Sequence, residues 1–151
     1  MNRFDDGRLT EILAAEASEH PDSQPLVPWW SFSKTILAAA VLVLVDRGTL
    51  DLDAQLTDAS YTLRHLLQHT SGLPDYGGNR EYQRAVAAGE SPWPIEELLG
   101  RVKPSSPLLP AGTRFLYSNI GYLFVRQIIE RATNVDLEES LRTLVLDPLG
   151  I

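Results

Sequence analysis

The chain has 151 residues, enough to close one hydrophobic core. A net charge of −7 without any basic stripe argues against a nucleic-acid surface. The absence of cysteine excludes disulfides, thiolate nucleophiles and thiolate metal sites, and fits a cytoplasmic protein. Met1-Asn2-Arg3-Phe4-Asp5-Asp6-Gly7-Arg8 opens on charges, so no signal peptide is visible. The longest apolar run, residues 35–45, falls far short of the roughly 20 residues of a membrane span, so a buried helix is expected there and no membrane span.

Apolar residues at 9, 12, 13 and 17 predict a first surface helix, followed by a turn-rich connector over 20–25. Pro28 holds the approach to Ser31 extended. A long helix is then expected over about 31–47, stopped by Gly48. Asp51 and Asp53 read as a solvated turn. Thr62 is placed to cap a short helix over 63–68 with Leu63, Leu66 and Leu67 inward. Two further short helices are predicted over 81–88 and 94–102, the second with Pro94 at its first position. A proline-rich loop over 104–112 leads to Phe115-Leu116-Tyr117-Ser118 and a largely buried helix from Asn119 or Ile120 to about Thr133. Asp136 with Glu139 forms a candidate capping box for a last helix over 137–146. The pattern is mainly α, with no convincing strand.

The chain has only two lysines, and one of them, Lys34, stands three residues after Ser31 at the mouth of the apolar helix. A serine hydroxyl needs a nearby base to act as a nucleophile. At helical spacing an amine reaches the hydroxyl, and a partly desolvated lysine can serve as that base. The same two residues also suit a helix cap and a lysine whose head reaches solvent past a packed stem. Tyr117 and Asn119, two apart before a buried helix, can point into one cleft, the phenol relaying a proton and the amide holding a substrate carbonyl or the lysine. A core-packed tyrosine and a capping asparagine fit as well. His65 and His69 share a helical spacing, as metal ligands do, but without a convincing acidic partner they read as structural residues at a helix end, a bond from His69 to backbone in the turn that follows being the alternative; no metal or cofactor is expected. Trp29 and Trp30 are core or cleft wall, and the sequence does not separate these.

Several segments together resemble a known family. Ser31-Phe32-Ser33-Lys34-Thr35 is similar to a Ser-x-x-Lys nucleophile motif, and Tyr117-Ser118-Asn119 to a Tyr-x-Asn motif. The stretches Asp46-Arg47-Gly48-Thr49-Leu50-Asp51-Leu52-Asp53, Leu63-Arg64-His65-Leu66-Leu67-Gln68-His69-Thr70-Ser71-Gly72-Leu73 and Asp147-Pro148-Leu149-Gly150 occur in the same order. The chain thus resembles the serine β-lactamase and penicillin-binding-protein group, in the branch of class C β-lactamases, D-alanyl-D-alanine carboxypeptidases and esterases. The resemblance covers about 26–151. It implies a serine hydrolase acting through an acyl-enzyme on an amide, β-lactam or ester carbonyl of a small molecule or peptide. Ser31 would be the nucleophile, Lys34 and Tyr117 the acid and base, and Asn119 a substrate-positioning residue. The backbone N–H of Ser31 would form half of an oxyanion hole. The histidine-bearing segment would be structural.

No Lys/His-Thr/Ser-Gly triplet follows Asn119, and the first 30 residues offer no clear hairpin. The expectation is therefore one partial domain over 1–151. It holds the nucleophile helix over about 31–47 and the helical lobe over about 50–151 of a two-lobe α/β fold whose sheet is largely missing. Such a piece would be weak or inactive alone, and its exposed helix face would be covered by self-association or by a missing C-terminal portion. The competing expectation is a non-catalytic helical interaction module derived from that family.

Overall fold

The computed structural model describes residues 29–57, 59–91, 93–102 and 107–151; the helix expected over 9–17 and the connector over 20–25 lie outside them. The chain divides into two compact units, Met1–Ser33 and Lys34–Ile151. In the first, a 3-10 turn, Trp30–Phe32, is closed by the Phe32 N–H on the Trp29 carbonyl at 2.9 Å and by the Ser33 hydroxyl on the Trp30 carbonyl at 2.6 Å. Trp30 takes φ 41° and is 79% exposed, so it is not a core residue. Trp29 meets Phe32 edge-on, with ring centroids 5.4 Å apart.

The helix that follows, α1 (Ser33–Asp46), starts later than the sequence suggests, because the tighter turn takes up the residues around Ser31. It buries Leu37, Ala40, Val41 and Leu44 along one stripe and leaves Leu42 53% exposed. Gly48 ends it at φ 70°, with the Thr49 and Gly48 N–H groups returning to the Leu44 and Val45 carbonyls. Helix α2 (Leu63–Leu67) is capped reciprocally: the Thr62 side chain accepts the His65 N–H while the His65 imidazole accepts the Thr62 N–H. Asp53 turns back on Asp51 and pairs with the Arg64 guanidinium through both carboxylate oxygens, an exposed contact of small energetic worth.

Asn79 caps α3 (Arg80–Ala87) by accepting the Glu81 and Tyr82 N–H groups. Helix α4 (Ile95–Val102) begins one residue after Pro94, whose carbonyl accepts the Leu98 N–H; proline therefore stands at the cap and not inside the first turn. Tyr82 meets Trp93 edge-on, and the Arg101 guanidinium lies 4.3 Å from the Trp93 ring centroid, which ties α3 to α4.

Helix α5 (Asn119–Thr133) is capped by Ser118 and closes on Asn134 in the left-handed region. It buries Ile120, Gly121, Tyr122, Val125 and Ile129, and these join Leu63 and Leu66 of α2 and the buried stripe of α1 in one core. Asp136 caps α6 (Leu137–Leu141) through the Glu139 N–H, but the Glu139 carboxylate pairs with Arg142. The last helix is broken: a wider π turn, Arg142–Leu146, separates α6 from the short α7 (Asp147–Leu149). Pro148 has no N–H for the Leu144 carbonyl, so the regular ladder loses a partner there, while the Ser140 hydroxyl shares the Asp136 carbonyl with the Ser140 N–H. No strand forms among the described residues, where an isolated bridge joins Gln55 to Thr62.

The segment after α2 runs beside the segment before α5. The Leu116, Gly112 and Leu108 N–H groups donate to the His69, Thr70 and Gly72 carbonyls at 2.7, 2.8 and 2.8 Å. Gly72 sits at φ 75°, and a Cβ there would lie 2.0 Å from the Leu109 carbonyl oxygen. Gly48 has a similar φ of 70°, but a Cβ there would meet nothing within 4 Å. Gly48→Ala is therefore expected to cost about 1 kcal/mol from backbone conformation alone, and Gly72→Ala at least about 3 kcal/mol because backbone must also move. Urea denaturation of the two variants measures both; equal losses would show that the close approach at Leu109 is not a constraint.

Candidate functional site

Ser118 caps α5 with its hydroxyl, which accepts the Gly121 N–H at 3.1 Å and donates to the Pro74 carbonyl at 2.8 Å. This double use fixes the turn that carries Tyr117 and Asn119 against the 69–75 segment. The Asn119 Oδ1 then accepts two hydrogen bonds: from the Lys34 Nζ at 2.7 Å and from the Tyr117 hydroxyl at 3.2 Å. The Lys34 ammonium also lies 5.3 Å from the Tyr117 ring centroid and 5.5 Å from that of Tyr122, within range of attraction by both rings. Lys34 and Asn119 are half-buried, and Tyr117 is 38% exposed, so the cluster opens to solvent on its phenol side. Ser31 belongs to the first unit, where it sits exposed in the 3-10 turn.

Two residues outside the site read from the sequence support the cluster. Asp75 accepts the Asn119 backbone N–H at 2.7 Å through Oδ1, and the Asn119 Nδ2 at 3.3 Å through Oδ2. A carboxylate within two residues of a Leu-Pro turn gives no hint of such a role. His69, read from the sequence as a structural residue at a helix end or as a partner for the turn that follows, reaches across the chain: its Nδ1 accepts the Ser118 N–H at 3.2 Å. Its ring lies against Tyr117, Tyr122 and Phe115, with centroids 4.5, 5.1 and 5.6 Å away. His65 is occupied in capping α2.

Burial is the main cause that holds the His69 pKa below the ordinary imidazole value, and the Lys34 charge adds to it; Asp75 opposes them. Burial likewise raises the Tyr76 and Tyr122 phenols, which keeps both neutral beside the cluster. The arrangement places an amine and a phenol on one shared acceptor, the Asn119 amide oxygen.

The beta-lactamase family model matches residues 5–151. The chain belongs to that family. It is 32% identical over 132 residues to penicillin-binding protein 4* of Bacillus subtilis (strain 168), covering 80% of this chain and 28% of that protein. It is 33% identical over 141 residues to esterase EstB of Burkholderia gladioli, covering 80% of this chain and 36% of that protein. Among solved structures it resembles the D-amino acid amidase of Ochrobactrum anthropi SV3, with a TM-score of 0.67, 26% identity and coverage of 86% of this chain and 42% of that one. The chain thus spans about a third of the length of the curated relatives it matches. Its described part is the helical portion of a β-lactamase/transpeptidase fold.

The His69 environment predicts a pH response. A histidine whose folded pKa is depressed resists a proton that the unfolded chain accepts from about pH 6.5 downward. Its contribution is complete above that value and is lost as the pH falls toward the folded pKa. Urea denaturation between about pH 7.5 and pH 5 is expected to show stability falling, with a shallower fall in His69→Asn, whose side chain tolerates the left-handed backbone. Parallel slopes in the two proteins would assign the response to other groups.

Proposed function

We propose that this chain carries the nucleophile and the proton-transfer groups of a serine hydrolase that forms an acyl-enzyme on an amide, β-lactam or ester carbonyl. The observation that supports the reading best is the convergence of Lys34 and Tyr117 on the Asn119 Oδ1. With one member of the Lys34–Tyr117 pair deprotonated, as neutral amine or phenolate, Ser31 attacks the carbonyl carbon and its proton passes to that base. The same pair returns a proton to the leaving amine or alkoxide as the carbon–heteroatom bond breaks, leaving the acyl group on Ser31 Oγ. Water then attacks that ester, regenerating Ser31 and releasing the acid. The Ser31 N–H supplies one donor to the oxyanion. The named relatives, a penicillin-binding protein and an esterase, support the class of reaction and leave lactam, peptide and ester open within it. The 151 residues acting alone turn over weakly, since the residues after Asn119 hold no Lys/His-Thr/Ser-Gly triplet to supply a second donor. Self-association, or contact with further polypeptide, covers the outer face of α1, where Leu42 is exposed.

Incubation of the full-length protein with a fluorescent penicillin or a fluorophosphonate, followed by intact mass, tests the reading. One stoichiometric adduct is expected, absent in Ser31→Ala and formed at least about 100-fold more slowly in Lys34→Ala. No adduct with either reagent, or an adduct that survives Ser31→Ala, would favour the non-catalytic module.

A further inference from the structure

A side-chain amide has a donor end and an acceptor end of nearly equal size, so an asparagine that must present its oxygen needs something to forbid the flip. At Asn119 the oxygen faces Lys34 and Tyr117, both of which donate to it. That side alone does not suffice through a reaction. Once Lys34 has given up its proton, the neutral amine can accept as well as donate, and its preference for the oxygen lapses. The other end of the amide is different, because it faces a carboxylate, which only accepts when ionised. Asp75 Oδ2 takes the Asn119 Nδ2–H at 3.3 Å and the Gly77 N–H at 3.1 Å, while Oδ1 takes the Asn119 backbone N–H at 2.7 Å. The backbone bonds lock the carboxylate in place, and the locked carboxylate turns the NH2 toward itself. A flipped amide would set oxygen against carboxylate and NH2 against the phenol proton and the amine, two repulsive contacts in one move.

We propose that Asp75 is a positioning residue: it fixes which end of the Asn119 amide faces Lys34 and Tyr117, and keeps that orientation while Lys34 changes protonation. The catalytic consequence rests on the acyl-transfer reading above; the orientation of the amide does not. Asp75→Asn keeps size and replaces one acceptor oxygen by a donor, so the amide of Asn119 is expected to turn over. With a p-nitrophenyl ester as substrate, the full-length variant should lose about 100-fold in kcat with KM within about two-fold. Adding Asn119→Asp to that variant restores an acceptor toward Lys34 and should recover at least about ten-fold, a rescue that loss of a merely structural contact would not show. Unchanged kcat in Asp75→Asn, or a loss that Asn119→Asp does not relieve, overturns the proposal. Side-chain amide NMR of the wild-type protein gives a readout independent of activity and of the variant's folding. One Asn119 Nδ2 proton should be slow to exchange and should shift as Asp75 titrates; an amide blind to that titration overturns the proposal. If the wild type forms no Ser31 adduct, the acyl-transfer reading fails, and the NMR arm alone decides whether Asp75 orients Asn119.

Discussion

The amide of Asn119 is held at both ends, by an acceptor on its nitrogen and by two donors on its oxygen, and the rest of the described structure serves to bring those partners within reach. Lys34 comes from the start of α1, Tyr117 and Asn119 from the cap of α5, and Asp75 from the loop after α2. None of these elements orders the others through local geometry. The common core does that: Leu37 and Val41 of α1, Leu63 and Leu66 of α2, and Ile120 and Val125 of α5 belong to one apolar cluster. Burying such side chains contributes roughly 1.5–3 kcal/mol each, far more than any one polar contact at the site. The core sets the positions of the helices, and the hydrogen bonds then select the conformation of the turns between them.

The turn at His69 shows a conflict between those two levels. Helix α2 ends with the Thr70 and His69 N–H groups on the His65 and Leu66 carbonyls, the pattern in which glycine ordinarily follows the helix. Histidine stands there at φ 56°, a conformation that costs a side-chain-bearing residue about 1–2 kcal/mol. The imidazole offsets that cost, since it accepts the Ser118 N–H and lies against the Tyr117 and Tyr122 rings. A strained backbone residue beside the Tyr117–Asn119 turn is consistent with a site whose geometry is over-determined by its surroundings. Gly72, three residues on, has no such choice, because the approach of the Leu109 carbonyl excludes any side chain.

Signals in the sequence are legible where they act within a turn or two. Thr62, Asp136 and Gly48 cap or stop helices as their chemistry predicts, and the apolar spacing of 63–67 and 119–133 marks the faces that are buried. The departures have local causes that a pattern search weighs poorly. Pro94 serves the helix through its carbonyl and not through its ring. The break at Arg142–Leu146 follows from the proline just beyond it, which has no N–H to donate.

By itself, the sequence determined the mainly helical class and, through segments that resemble those of a family, the β-lactamase membership that the family match shows. Only the tertiary structure decided that Lys34 and Tyr117 share one oxygen of Asn119, that Asp75 holds the opposite end of that amide, and that His69 reaches Ser118. The physical reason is range. Periodicity and capping are properties of neighbouring residues, whereas these hydrogen bonds join Asn119 to partners 85 and 44 residues away and Ser118 to one 49 residues away. Such contacts exist only after the core has placed α1, α2 and α5 side by side.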